Sequence, residues 1–258
     1  MKKKLTVLAI ALILTLPFAF LDILPSIGDV NSAPNKHVSA YYIENAISEC
    51  NSPNMVTAVI VDYRAFDTLL ETTVMFLAGA VVLLVLARKP SIKNRIVIPK
   101  SKRMHKDKSG NPIYKTVNKD VMITVIQPLI LVYAVYVLFH GEVSLGGGFQ
   151  AGALIAMAYI LDVLVIPDKK SVFVLPKKNS VALAGLGPFI YTLTGIICLI
   201  GGGMFLEYAK LPFPVHTAEL HSIGILAVEV GVTIGVAATI ITILNAIMER
   251  VTFDDDNY

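Results

Sequence analysis

The sequence has 258 residues, of which 55% are hydrophobic and 16% are charged, and its formal net charge is +3. Soluble domains typically carry about 25% charged residues, so this composition excludes an ordinary soluble domain and indicates a membrane protein. Two cysteines, neither in a CxxC or Cys/His pattern, exclude a disulfide framework and give no metal or cluster site.

Six long apolar runs follow one another along the chain. Each is near the ~20 residues that a helix needs to cross the hydrocarbon core. The runs are too long for membrane strands and do not alternate, so the predicted fold class is all-α, a polytopic membrane protein with about six transmembrane helices. The predicted spans are residues 5–24, 66–87, 121–139, 149–166, 181–204 and 223–248.

The positive charges predict the topology. All but three of the 22 Lys and Arg residues lie at the two termini, in the segment 88–120 or in the loop 169–178. By the positive-inside rule, both termini are therefore cytoplasmic. The segment 88–120 is basic and aperiodic, which predicts a linker between two units, residues 1–110 and 111–258. A lipid-facing loop explains its charge without a nucleic-acid partner.

The first run permits two interpretations. Residues 1–24 have a basic start and an apolar core, as a signal peptide does. The run is long for that, and no clear A-x-A site follows, which favours a retained helix with Pro17 as a tolerated kink. Residues 25–55 are polar and predict an outside loop with a short helix near 41–50.

The second run carries ionisable residues. On a helix Arg64, Asp67 and Glu71 fall at i, i+3 and i+7 and share one face. Glu71 lies inside the apolar run, where a carboxylate is costly unless it is paired, protonated or hydrated. It is therefore a candidate ion-pathway residue with Asp67, and the alternative is a structural salt bridge to Arg64 or to a neighbouring subunit.

The third run contains Gln127 followed by Pro128, which bends the helix. The Gln127 amide is available to a neighbour or to an ion path. Tyr133, Tyr136 and His140 follow one face, which is typical of an interfacial belt and leaves a proton-handling role for His140 open.

A glycine-rich hairpin joins the third and fourth runs on the predicted outer side. Gly146, Gly147 and Gly148 allow a tight reversal and close backbone approach, whether in an ordinary turn or in a loop packed inside a larger assembly. The polar residues around the turn are His140, Glu142, Ser144 and Gln150. In the fourth run Gly148, Gly152 and Ala156 predict a small-residue packing face. Asp162 is expected to be structural, in reach of Lys169 or water.

The last run holds the deepest acidic residue, Glu229, and Glu219 and His221 stand at its outer end. A charge at midplane favours a proton or Na⁺ relay. The alternative is a hydrogen bond from Gln127 or from a neighbouring chain. Gly231 and Gly235 form a GxxxG step where another helix approaches closely.

Two stretches resemble one family. V-D-Y-R-A-F-D-T-L-L-E, in which Asp62, Arg64, Asp67, Thr68 and Glu71 match, resembles the C-terminal end of the large subunit of Mrp-type multisubunit cation/proton antiporters. It is also similar to the small subunit of archaeal membrane-bound hydrogenases and sulfane reductases.

The glycine hairpin resembles the signature of the B-type subunit of the same antiporters. Phe149 and Gly152 match that signature, whereas Leu145 stands where Pro is common and Ala151 replaces a Gly. The stretch from His221 to Glu229 is more similar to the hydrogenase-type relatives.

The resemblance implies a fused, multi-pass subunit of the cell membrane in a Na⁺/H⁺ antiporter-like module, within a redox-driven respiratory complex. The chain itself is expected to be no enzyme, because it shows no nucleophile–base pair, phosphate loop or metal cluster. Implied partners are other antiporter-type subunits, the lipid bilayer and a hydrogenase-like redox arm whose nickel–iron and iron–sulfur centres lie in other chains. The predicted ion or proton pathway residues are Asp67, Glu71, Gln127, His140, Glu142, Glu219, His221 and Glu229.

Two other functions remain open on the sequence. The first is a purely structural role that bridges pumping and redox modules, in which case the two intramembrane glutamates face dry contacts with other chains. A self-standing small transporter is the third interpretation, and it predicts ion movement by the purified chain alone in liposomes.

Overall fold

The computed structural model describes residues 2–23, 26, 28–32, 34–87, 119–165 and 177–255. Within these ranges every regular element is helical and no strand occurs, which confirms the predicted all-α class. The chain divides into two compact units, Met1–Asn45 and Ala46–Tyr258. The predicted basic linker lies almost entirely outside the described residues, as does Lys169.

The smaller unit starts with helix α1, Lys2–Thr15, which is followed by a 3-10 helix, Leu16–Ile23. One continuous helix was expected over residues 5–24, so this expectation is wrong. Pro17 supplies the physical reason, because proline has no N–H and disfavours the α conformation in the residue before it. A short π-helical turn, Pro34–Val38, then leads into α2, Ser39–Cys50.

The larger unit contains the rest of the helices. Its elements after α2 are α3 (Met55–Thr57), a π-helical segment (Ala58–Tyr63), α4 (Ala65–Ala87), α5 (Lys119–His140), α6 (Gly148–Val165), α7 (Lys177–Ile200), a 3-10 turn (Tyr208–Lys210) and α8 (Thr217–Asp255).

Each of the six predicted apolar runs contains an apolar helix. Three of the described helices are long and apolar enough to cross a membrane, namely Ala65–Leu86, Asn179–Ile200 and Thr217–Met248. Three more are apolar but shorter, namely Ala9–Phe18, Val125–His140 and Gly148–Val163. The chain is therefore a membrane protein by length and composition of its helices.

Helix α8 is the centre of the larger unit, since α4, α6 and α7 all pack against it. In its most apolar stretch 67% of the residues are buried by the chain itself. The core at this helix is apolar and includes Ile225, Val228, Val232 and Val236. In a bilayer such contacts are favourable through close packing rather than through exclusion of water.

Small residues allow α8 to approach its neighbours closely. A Cβ added to Gly187 of α7 would lie 2.5 Å from the Gly235 Cα, and one added to Gly152 of α6 would lie 2.8 Å from the Thr233 carbonyl oxygen. Both distances are too short for a real side chain. The GxxxG step at Gly231 and Gly235 and the small-residue face of α6 are thus confirmed as packing surfaces.

Candidate functional site

The candidate site begins at a helix break just before α4. In the π-helical segment Ala58–Tyr63 the hydrogen bonds skip a residue, and the Arg64 N–H donates to the Val59 carbonyl, five residues back, over 2.8 Å. Arg64 then leaves helical geometry, with φ −123° and ψ 33°, before α4 starts at Ala65. A break of this kind disturbs the regular hydrogen-bond ladder and leaves carbonyl groups that need other donors.

Side-chain hydroxyls satisfy these carbonyls. Thr68 Oγ1 donates to the Ile60 carbonyl over 2.5 Å. The fully buried phenols of Tyr208 and Tyr191 donate to the carbonyls of Val61 and Ala65 over 2.9 and 2.8 Å. In a membrane protein a broken helix persists only where such donors replace the missing backbone bonds. The break is therefore held from α7 and from the 3-10 turn before α8.

A buried acid–histidine pair lies beside the break. His221 Nδ1 is 2.6 Å from Asp62 Oδ2, and both side chains are mostly buried. The ring of Tyr208 meets the His221 ring edge-on, with centroids 6.1 Å apart. Burial, reinforced by the nearby Asp62 carboxylate, raises the pKa of the Cys50 thiol to about 12. His221, a predicted pathway residue, is thus paired with Asp62.

The segment before the break is attached to the glycine hairpin. Asn54 caps α3 by accepting from the Val56 N–H. Its amide nitrogen donates to the carbonyls of Gly141 and Ser144 over 2.8 and 2.6 Å. The Thr57 hydroxyl adds a 2.7 Å bond to the Gly141 carbonyl. These bonds fix the hairpin against the start of the broken helix.

Glu229 lies against the same hairpin. Its side chain is 3% exposed, and its Oε2 has no hydrogen-bond partner among the described residues. Gly147 has φ +136°, and a Cβ there would lie 3.0 Å from Glu229 Oε1. A Cβ on Gly148 would lie 2.2 Å from the main-chain oxygen of Glu229. Glycines are therefore required here for conformation and for space.

A cavity of about 290 Å³ brings the carboxylates together. Glu71 and Asp67 from α4 line it, as do Glu229 from α8 and Arg64 from the break. Arg64 and Asp67 form an ion pair on its rim, with side chains 62% and 56% exposed. The predicted common face of Arg64, Asp67 and Glu71 is thus present, although the helix is interrupted at Arg64. The other polar lining residues are Asn54, Thr68, Gln150 and Tyr191, and Gly146, Gly147, Gly148 and Phe149 of the hairpin complete this wall.

Four predicted pathway residues lie outside this cavity. His140 stacks on Tyr136 at 4.8 Å, which continues the predicted aromatic stripe. Glu142 is partly buried, and burial raises the pKa of its carboxyl despite a hydrogen bond to Ser222. Glu219 is exposed and Gln127 is partly exposed, and neither lines the cavity.

Several site residues were not singled out by sequence reasoning. Tyr191, Tyr208 and Asn54 act through backbone bonds to distant segments, and the only signal was a polar atom in or beside an apolar run. Asp162 was expected to reach water or Lys169. It is 2% exposed, so contact with water is corrected, while Lys169 lies outside the described residues.

Comparison with known proteins places this arrangement in a class. Residues 119–242 match the family model described as a domain related to the MnhB subunit of Na⁺/H⁺ antiporter. Residues 3–103 match the model of MbhE, the E-type subunit of MBH. The two matches define an antiporter-type membrane subunit, and they bear out the resemblance of both stretches.

Individual relatives agree. The B-type subunit of the Na⁺/H⁺ antiporter of Bacillus subtilis is 31% identical over 145 residues, which are 53% of this chain and 97% of the relative. The chain therefore belongs to the family of MnhB-type antiporter subunits. A probable K⁺/H⁺ antiporter protein of Rhizobium meliloti, which joins the A-type and B-type subunits, is 25% identical over 76% of this chain, and the chain spans 21% of that relative's length.

A solved structure is similar over nearly the whole chain. A chain in the membrane-bound sulfane sulfur reductase, an archaeal respiratory membrane complex, has a TM-score of 0.63 and 26% sequence identity to this one. The similarity covers 95% of this chain and 97% of that chain. The fold and the order of the elements are thus shared from end to end.

Proposed function

We propose that this chain is a membrane subunit of a multisubunit Na⁺/H⁺ antiporter-like module and contributes to the translocation of cations and protons. The proposal includes a place in a redox-driven respiratory complex of the cell membrane. It is supported by the family membership and by the similarity to a chain of a respiratory membrane complex. Other antiporter-type subunits and a hydrogenase-like redox arm are the proposed partners, and any nickel–iron or iron–sulfur centres belong to those partners.

In the proposed topology the chain crosses the membrane six times with both termini in the cytoplasm. The asymmetry of Lys and Arg supports this orientation. Residues 1–110 form the unit similar to the large-subunit end, and residues 111–258 form the B-type unit. The chain has no catalytic function of its own in this proposal.

The observation that carries the proposal is the shared cavity. Glu71 and Glu229 are 158 positions apart in the sequence, yet both line one space of about 290 Å³. Ionisable residues within apolar helices are costly and are typical of proton and ion pathways. Glu71 and Glu229 therefore exchange protons or Na⁺ through this cavity, while the Arg64–Asp67 ion pair and Gln150 keep its walls polar.

The test is exchange by the native complex carrying single substitutions. Glu71→Gln and Glu229→Gln are introduced, and Na⁺/H⁺ exchange is followed with a pH-sensitive dye in inside-out membrane vesicles. Each variant is expected to lose about tenfold or more of the exchange rate, a barrier increase of at least ~1.4 kcal/mol.

Glu44→Gln is the matched control, because Glu44 is an exposed glutamate of α2 and lies outside the cavity. Assembly is checked by co-purification of the other subunits. Full exchange by both cavity variants in assembled complexes would contradict the proposal.

A structural bridging role is the second candidate function. It is favoured by α4, in which only 11% of the most apolar stretch is buried by the chain itself, so that most of the helix is available to other subunits. Under this alternative the complex tolerates Glu71→Gln and Glu229→Gln with full exchange, but loses subunits when apolar residues of α4 such as Leu77 are changed to charged ones.

A further inference from the structure

The oxygen atoms around Glu229 are already engaged. The Gly141 carbonyl accepts bonds from Asn54 and Thr57. The Gly147 carbonyl accepts from the Ala151 N–H at 3.0 Å, and the Gly148 carbonyl accepts from Thr233 Oγ1 at 3.1 Å. The hairpin therefore surrounds the Glu229 carboxylate closely without turning a set of free oxygens towards it.

This donor set suits a proton better than a metal cation. A hard cation that has lost its water is held by several oxygen ligands at once. Among the described residues, no group of three or more His, Cys, Asp or Glu side chains is placed to hold a metal ion. A proton needs a single carboxyl oxygen, and Glu229 Oε2 faces the cavity without a hydrogen-bond partner in the described part of the chain.

The charged and titratable groups near Glu229 do not supply a fixed counter-ion. Arg64 from the break is bound to Asp67 of α4. The Tyr191 phenol of α7 donates to the Ala65 carbonyl. The remaining acidic groups that face this region are Glu71 on the cavity wall and Glu142 in the hairpin. A carboxylate without a positive partner is costly to bury in its charged form.

The exposed side of the cavity differs in this respect. Glu71 is exposed in this chain, and the Arg64–Asp67 pair beside it is more than half exposed. A cation can therefore remain hydrated there, where water supplies the ligands that the protein does not.

We propose that Glu229 is a proton-only site and that the metal cation stays on the Glu71 and Asp67 side of the cavity. The inference rests on the proposed function of the cavity, and it divides the two transported species between two glutamates of one chain. Protonation of Glu229 forms one O–H bond and leaves the carboxyl neutral, and release of that proton to water restores the carboxylate.

The experiment is infrared difference spectroscopy on the purified native complex. The carbonyl band of the protonated Glu229 carboxyl is assigned by its loss in Glu229→Gln, with Glu44→Gln as the variant that retains it. The band is expected to disappear as the pH is raised. At constant pH it is expected to stay unchanged when NaCl replaces choline chloride. Loss of the band on addition of Na⁺ at constant pH would overturn the proposal, because the cation would then displace the proton from Glu229.

A kinetic measurement covers the case in which Glu229→Gln fails to assemble. Glu229→Asp keeps a carboxyl group on a shorter stem, and it is expected to slow exchange while leaving the KM for Na⁺ unchanged. Glu71→Gln is expected to raise the KM for Na⁺ several-fold. A raised KM in Glu229→Asp contradicts the proton-only site. Unchanged exchange in an assembled Glu229→Gln complex contradicts the proposed function itself.

Discussion

Helices α4 and α8 are both long and apolar, and each carries one glutamate within its apolar stretch, yet the chain treats them differently. The chain buries 67% of the most apolar stretch of α8 and 11% of that of α4. Glu229 on α8 is 3% exposed, while Glu71 on α4 is exposed. The environment of Glu229 is thus fixed by this chain, whereas that of Glu71 is completed by water, lipid or other subunits.

The comparison teaches that apolar surroundings in the sequence do not determine how a carboxylate is used. Both glutamates lie within helices of similar hydropathy, and only the packing separates them. A group enclosed by its own chain has the same surroundings whenever the chain is folded. A group on an open face is sensitive to assembly, since partners determine its access to water and counter-ions.

The largest expected effect comes from breaking the enclosure of Glu229. In Gly148→Ala the new Cβ would lie 2.2 Å from the main-chain oxygen of Glu229, so α6 must move away from α8. Overpacking of this kind costs about 1–3 kcal/mol or more, and we expect loss of most of the folded protein. The measurement is the amount of this chain that co-purifies with the complex.

Gly185→Ala on α7 is the matched control for this change. The nearest atom to a Cβ there is Phe76 Cε2 at 3.5 Å, an ordinary contact. Normal assembly of Gly148→Ala would show that the contact between α6 and α8 does not enclose Glu229 as described.

A smaller effect is expected when the helix break between the two glutamates loses one donor. Tyr191→Phe keeps the ring but leaves the buried Ala65 carbonyl without its 2.8 Å bond. An unsatisfied buried carbonyl costs about 1–3 kcal/mol, so the midpoint of thermal unfolding of the complex should fall. Exchange should fall too, because the start of α4 places Asp67 and Glu71.

Tyr133→Phe serves as the control for the loss of a hydroxyl, since Tyr133 is 56% exposed. Equal midpoints for the Tyr191 variant, the Tyr133 variant and the unchanged complex would show that the phenol does not hold the break.

The smallest effect sharpens the comparison with a carboxyl of intermediate burial. Burial raises the pKa of Glu142 above its ordinary value of 4.5, so the folded state favours the protonated form. This contribution to stability is complete below that value and is lost as the pH rises through the raised pKa. It amounts to at most about 1 kcal/mol, because water screens the half-exposed group.

Glu142→Gln removes this titration. The variant should therefore gain thermal stability relative to the unchanged complex as the pH rises, and thermal scans over a pH series measure the difference. A difference between the two complexes that does not change with pH would contradict the assigned burial of Glu142.

Much of the architecture was predictable from the sequence. The apolar runs located the helices, the three consecutive glycines located the reversal between α5 and α6, and the GxxxG step located the approach of α7 to α8. These features depend on local composition and spacing. Glu229 and Glu71 were also identified, since an acidic residue in an apolar run stands out.

The rest depends on contacts between distant parts of the chain. The break at Ala58–Tyr63 has neither Pro nor Gly, and its carbonyls are bound by Tyr191 and Tyr208, more than a hundred positions away. Asp62 and His221 form a pair across 159 positions. No spacing rule connects such residues, and for the same reason the burial of Asp162 was not anticipated.

The bonds from Asn54 and Thr57 to the Gly141 carbonyl join the two stretches that match separate family models. Each half contributes one wall and one glutamate to the same space. Because a single polypeptide carries both halves, they are synthesised in a one-to-one ratio, and neither waits for the other to diffuse through the bilayer. Covalent continuity thus secures the stoichiometry of a compartment that two separate proteins would have to find by collision.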